Sequence, residues 1–428
     1  MCDSEWFRIR REELCMLKSE WAMMRSAAGW IVRLSLLVLL VVAPAASANG
    51  QKSYDAGASD SEIKIGNIAP YTGWGNEYAA VARAEAAYFR MINDGGGING
   101  RKINFVSVDN ASDTQKSLDL ARKLVEEDKV LLIFSSIGTE SNLAMRDYLN
   151  EKKVPQLFVQ SSSAVFDDPS HFPWTMGFFA TYRTEGLVYA RYILQNRPRA
   201  KIAVLYANDD AGREYLQGVH DGLGDKASSM IVKEVPYQVS DRALEPQIAA
   251  LKDSGADVFL NLSIGEFTTT AIRTAYDLGW HPLQFIPNAS LSIAAFLEPA
   301  GLEKSTGIIT NARSKGWSSA RAQTDPAVRD FVDWMRKYNP DASLRDQNNV
   351  AGYERAQALV EVLKKCGDDL TRANVMKQAS HLDFTLGMLR PGIRITTSPS
   401  DYQPIKQLFL IRFDGREWVP FGATKEDR

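Results

Sequence analysis

The chain has 428 residues, 45% hydrophobic and 24% charged, an ordinary globular composition long enough for two or three domains. A formal charge of −2 at pH 7 removes any strong electrostatic case for nucleic acid, and no basic block interleaved with aromatics occurs. Cys2 and Cys15 fall in the first 48 residues and leave Cys366 alone, so there is neither a disulfide framework nor a metal-type cysteine spacing.

The N-terminus departs from this average. Residues 34–43 are an apolar run, with Arg25 and Arg33 before it and Pro44 and Ala46-Ser47-Ala48 after it. That is the plan of a secretory signal peptide, with a core too short for a transmembrane helix, so residues 1–48 are expected to be removed by cleavage after Ala48. Residues 1–22 are a long charged prelude, and a start at Met23 or Met24 would give the leader normal length. An uncleaved membrane anchor is the rival. No cysteine stands at the cleavage site, which argues against lipid attachment there.

From residue 62 short apolar strands alternate with helical patterns. The first series has strands over 63–68, 103–108, 130–134 and 155–159. Between them lie a helix through Phe89 and helices over 114–127 and 142–151. A second series begins near Arg183, with strands over 201–206, 231–237, 258–262 and 284–287. Its helices run to Gln195 and over 213–224, 244–253 and 267–278. Such alternation means parallel βαβ units with helices on both faces of a sheet. The two series echo one another, which predicts two similar α/β lobes rather than one very wide sheet. Ligands of open parallel sheets bind beyond the C-terminal strand ends. The loops beginning at Pro70, Ser135, Gln160, Asn208, Ser263 and Asn288 are therefore the expected cleft.

Residues 93–101 contain a literal G-x-G-x-x-G at Gly95, Gly97 and Gly100. A phosphate-binding loop must follow a strand and open a helix, so that helix N–H groups face the pyrophosphate. Here the order is reversed. Tyr78, Val81, Ala82, Glu85, Ala86, Phe89 and Ile92 make a helical stripe upstream, and the strand over 103–108 lies downstream. The glycines are expected to cap a helix and turn the chain, not to hold a nucleotide.

No other catalytic pattern stands out. His171, His220, His281 and His381 form no metal pair, and neither a P-loop nor a G-x-S-x-G elbow is present. Asp167-Asp168, Asp209-Asp210 and Asp368-Asp369 are adjacent acids of the kind found in turns and caps. No cofactor, no metal and no enzymatic activity are expected, although a triad defined by geometry would escape such a search.

Several separated stretches then fall into a recognisable order. They are Ile63-Lys64-Ile65-Gly66, Pro70-Tyr71-Thr72-Gly73, Ile92-Asn93 with residues 96–101, Ala203-Val204-Leu205-Tyr206, Asp209-Asp210-Ala211-Gly212 and residues 254–258. Over about 61–422 the chain resembles the periplasmic branched-chain-amino-acid-binding family, the type I solute-binding proteins of ATP-driven importers. The resemblance implies the type I periplasmic-binding-protein fold, two Rossmann-like lobes joined by three hinge crossovers near 179–182, 312–315 and 386–391. The first lobe would hold 61–180 plus 315–387, and the second 181–314 plus 388–428. A periplasmic monomer is implied, which captures a small molecule and is read in its closed form by the permease subunits of an ABC transporter.

The same resemblance assigns ligand positions. Tyr78 matches an aromatic wall of the site. Gly138 and Thr139 match the loop that holds a ligand carboxylate, and Gln160, Ser161 and Ser162 match the next such loop. Ala289 stands where amino-acid binders place an acid for the ligand's ammonium, and Ile264 and Ala211 replace cleft aromatics. A buried ammonium without a counter-charge is costly. An ordinary α-amino acid therefore requires Glu266 or Asp210 to reach in. The expected ligand has a carboxylate or amide and an apolar or aromatic body, since related binders take aromatic acids and amides. Trp74 and Trp174 are further candidate walls. The alternatives are a ligand-sensing receptor of the same fold and a cleft hydrolase. A receptor usually appends an effector segment, whereas this chain ends soon after residues 409–415.

Overall fold

The computed structural model describes residues 52–241, 243–317 and 322–421. The predicted leader and its cleavage after Ala48 lie outside the described residues.

Strands β1 (Glu62–Ala69), β2 (Lys102–Asp109), β3 (Leu132–Phe134) and β4 (Gln156–Leu157) form a parallel sheet in the order β2-β1-β3-β4. Helices α1 (Ala79–Asp94), α2 (Thr114–Glu126) and α3 (Thr139–Glu151) connect them. The second series gives α4 (Tyr182–Asn196), β5 (Ile202–Ala207), α5 (Asp210–Leu223), β6 (Ile231–Tyr237) and α6 (Glu245–Asp253), then β7 (Val258–Leu262), α7 (Glu266–Asp277), β8 (Leu283–Phe285) and β9 (Ile309–Ala312). The apolar run Val-Phe-Leu-Asn-Leu of β7 is buried throughout, as a central strand covered on both faces must be. Pro236 lies in β6, the edge strand, where its missing N–H leaves no neighbour without a donor.

Beyond β9 come α8 (Pro326–Tyr338), α9 (Asn348–Cys366), β10 (Phe409–Phe413) and β11 (Trp418–Pro420). Strands β10 and β11 extend the second sheet antiparallel, giving the order β11-β10-β9-β8-β7-β5-β6. Helices α8 and α9 instead return to the first sheet. Trp334, Tyr353 and Leu359 share one apolar core with Phe89, Phe134 and Phe158. Cys366 ends α9 inside that core. The chain thus passes between the two bodies three times. Residues 313–315 and 388–390 form a two-stranded strap, with Lys315 N donating to Met388 O and Arg390 N to Arg313 O at 2.7 and 2.9 Å. The last passage is longer than the sequence suggests. Ile393, Ile395, Tyr402 and Ile405 still pack in the first core, and the second sheet is joined only at Phe409.

The strand expected over 155–159 is cut to two residues because Phe158 adopts φ +55°, and Gln160 then bridges Ile137. The glycine run is a turn. Helix α1 ends before it, Gly96, Gly97 and Gly100 have positive φ, and a Cβ on Gly97 would lie 2.0 Å from Arg101 O. None of these glycines borders the cavity described below.

Candidate functional site: a cavity between two bodies

A cavity of about 390 Å³ opens between the C-terminal ends of the two sets of parallel strands, within the usual range for a small-molecule site. The first body contributes Pro70, Trp74 and Tyr78 after β1, Asn110 and Ser112 after β2, residues 137–141 after β3 and residues 160–162 after β4. From the second come Ala207 to Asp209, Ala211, Tyr215, Ile264 and residues 288–289. The passages add Phe179, Tyr182 and residues 312–317, and the start of α9 closes one side.

The start of α3 is the most organised polar wall. Gly138, at φ 102° and ψ 139°, occupies its N-cap position, and no side chain caps the helix. A glycine can take that conformation and leaves the first N–H groups of the helix open toward the cavity. Two loops run side by side here, Gly138 N donating to Gln160 O and Gln160 N to Ser136 O. Beneath them buried Asn142 donates to Gly138 O at 2.6 Å and to Ser136 O at 2.9 Å, and receives Gln156 Nε2 at 2.9 Å. The Thr139 and Ser161 hydroxyls meet at 2.8 Å, and Tyr182 OH lies 3.5 Å from Ser161 Oγ. Burial raises the pKa of Tyr182, against its hydrogen bonds to Ser161 and Thr139, so it stays a neutral donor. Gln160 Oε1 is buried without a partner. Helix N–H groups, hydroxyls and a positive helix end together suit a carboxylate.

The opposite wall is apolar where the family pattern would have charge. Ala211, Ile264 and Ala289 all line the cavity. Ala289 sits in a short 3₁₀ turn and packs beside Tyr78 and Phe296. Asp210, expected among the ligand contacts, is not a lining residue. Its carboxylate is turned to Arg213 Nη2 at 2.8 Å, because it occupies the exposed first turn of α5. Its neighbour Asp209 lines the cavity but spends Oδ1 on capping Gly212 N at 2.8 Å. Glu266 is exposed in the first turn of α7 and is likewise not a lining residue. Glu140, the other lining acid, is exposed. No buried acid among the described lining residues faces a ligand ammonium. Trp74 borders the mouth, 41% exposed, whereas Trp174 packs on the first core.

The two bodies are drawn together around this space. Tyr78 OH accepts Gly265 N at 3.0 Å, Ala164 N donates to Glu214 Oε1 at 2.9 Å, and Ile293 N donates to Gln347 Oε1 at 2.8 Å. Ser292 Oγ donates to Asp346 Oδ1 at 2.7 Å. This is a closed arrangement. The bridging role of Tyr78 escapes sequence reading, which gives it only a wall. Phe179, Tyr182 and Arg313 also line the cavity; sequence reading placed them only in the crossovers, and named Asn288 only as the start of a cleft loop.

Comparison with known proteins agrees with this architecture. A Leu/Ile/Val-binding protein homolog of Brucella abortus is 24% identical over 345 residues, covering 78% of this chain and 87% of the relative. A fatty acid ABC transporter substrate-binding protein from Thermomonospora curvata superposes with TM-score 0.73 at 21% identity, over 86% of this chain and 94% of that one. An R. palustris solute-binding protein in complex with benzoate gives 0.70 at 18% identity, over 84% and 96%. At such identities the structures speak for the fold alone. The family match itself spans residues 62–417. This chain belongs to the periplasmic binding protein family, with the type I, leucine-binding-protein-like fold of two parallel-sheet bodies around a ligand cleft.

Proposed function

We propose that the protein is the extracytoplasmic solute-binding component of an ABC importer. It captures a small organic acid with an apolar or aromatic body and no α-ammonium, and delivers it to a membrane permease. One observation carries this reading: an uncapped, hydroxyl-lined helix start faces a wall where Ala289 and Ile264 replace the groups that would hold an ammonium. Thr139, Ser161, Ser162, Gln160 and the Gly138 turn hold the carboxylate, while Tyr78, Ala211, Ile264 and Ala289 enclose the body. The benzoate complex and the fatty-acid transporter relative are carboxylate systems on the same fold, which supports the class. The two bodies, with residues up to about 405 kept in the first and the second rejoined at Phe409, close about the three passages. The protein does no chemistry on its ligand.

The Leu/Ile/Val names of sequence relatives favour a second reading, a branched-chain amino acid whose ammonium turns to Glu140 or Asp209. Titration calorimetry with benzoate, hexanoate and leucine separates the two. The proposal expects micromolar-range heats for an acid and none for leucine. Tight leucine binding without response to either acid overturns it. The N-terminal sequence of the mature protein, expected to start at Asn49, tests export.

A further inference from the structure

The cavity wall formed by the passages is cationic, and a monocarboxylate held at α3 leaves it without a task. Arg313, Lys315 and Arg390 line the cavity there, whereas the lining acids Glu140 and Asp209 stand at the starts of α3 and α5. Lys315 is paired with Asp325 at 2.6 Å. Arg313 is more deeply set, its side chain 8% exposed. Its guanidinium lies 4.1 Å from the Phe179 ring centroid, and Nη1 donates to Asn288 Oδ1 at 3.1 Å. Nε is 3.4 Å from Glu354 Oε2 yet makes no hydrogen bond.

Behind it, Arg355 faces the same ring at 5.0 Å, 3.3 Å from Glu85, with neither terminal nitrogen hydrogen-bonded. Burial raises the pKa of Glu354 and brings Glu85 up to about 8. Burial also lowers that of Arg355, but only to about 10, so it remains protonated at neutral pH. Two buried guanidiniums thus meet at the Phe179 ring, with Glu354, Glu85 and Glu185 nearby, and that of Arg313 lines the cavity where an anion can reach it.

We propose that Arg313 is a second anchor of the ligand, and that the molecule held is a dicarboxylic acid. One carboxylate sits on the start of α3 and the other on the Arg313 guanidinium. This rests on the reading of the cleft as an organic-acid site. A guanidinium offers a planar fork to a carboxylate, and Phe179 and Asn288 fix this one in place beforehand, so little entropy is lost on binding. A single acid group would leave one of the two polar walls unmatched.

The test compares matched acids by calorimetry on the mature protein. Terephthalate is set against 4-methylbenzoate, and succinate, adipate and sebacate against butyrate, hexanoate and decanoate. At least one diacid is expected to bind about tenfold or more tighter than its monoacid partner. Arg313→Lys, which keeps the charge beside Glu354 but removes the planar fork, should erase that advantage, bringing each diacid and its monoacid partner within about threefold of one another. Diacids binding no better than their partners, while monoacids bind, overturns the second anchor and leaves the organic-acid reading intact. Binding of neither set, with leucine bound instead, overturns both. The wild-type pairs decide the matter even where the variant does not fold.

Discussion

Helices α3 and α7 each follow a parallel strand into the cleft, and each begins at a glycine with positive φ and no capping side chain. Their open N–H groups are used differently. At α3 the Thr139 and Ser161 hydroxyls and Gln160 surround a polar niche that lines the cavity. At α7 the other body fills the place. Gly265 N donates to Tyr78 OH, and Glu77 packs so close that a Cβ on Gly265 would lie 2.7 Å from its Oε1. One helix start is thus left open to the cavity, and its counterpart is occupied by a contact across it. Repetition of a βα unit supplies two equivalent anion-favouring ends, and contacts across the cleft decide which remains free.

Changing the first of these ends should give the largest effect. Thr139→Val with Ser161→Ala removes the two hydroxyls proposed to hold the carboxylate and should weaken an acid such as benzoate roughly a hundredfold. The unfolding temperature without ligand should fall modestly, because Ser161 Oγ also accepts the buried Ser163 N–H at 3.1 Å. Ala289→Asp places a carboxylate on the apolar wall. It should weaken organic acids roughly thirtyfold through charge repulsion while introducing measurable leucine binding; calorimetry with both ligands reads the exchange.

At the second end the effects are smaller. Tyr78→Phe keeps the aromatic wall and deletes the bridge to Gly265, so affinity should fall about fivefold. Small-angle scattering with subsaturating ligand should show a more open average. Burial, together with a smaller push from Glu266, raises the Glu77 carboxyl from 4.5 to about 7. Closure therefore takes up a proton: it is most favoured below the ordinary carboxyl range and loses that contribution as pH rises through about 7. Arg83 and Asp346 border the same pocket. Affinity should drop roughly threefold between pH 5.5 and 8, and Glu77→Gln should flatten the profile. An unchanged profile in that variant would assign the pH response elsewhere.

Much of this was legible in the chain. Apolar runs such as residues 258–262 and the helical stripe through Phe89 identified the parallel units, because burial on two faces or on one stripe leaves a direct pattern. The glycine run was read as a turn between helix and strand from its neighbours alone, and that turn is what the structure shows. Strand ends located the cleft loops, and the family resemblance then named Tyr78, Thr139, Ser161, Ile264 and Ala289 as site positions before any coordinates. Asp210 shows the limit. Adjacent acids Asp209 and Asp210 are equivalent in composition, and helix phase turned one toward the cavity and its capping duty and the other toward Arg213.

The sequence by itself determined the βαβ order, the two repeated series, the strand ends that face the cleft and the absence of an acid at position 289. These depend on local periodicity and on residue identity. The tertiary structure alone decided that Tyr78 bridges to Gly265, that residues 393–405 stay with the first core, and that Arg313, Phe179 and Arg355 meet at the passages. Those contacts join residues more than a hundred positions apart, and only packing of the two bodies sets which distant side chains meet.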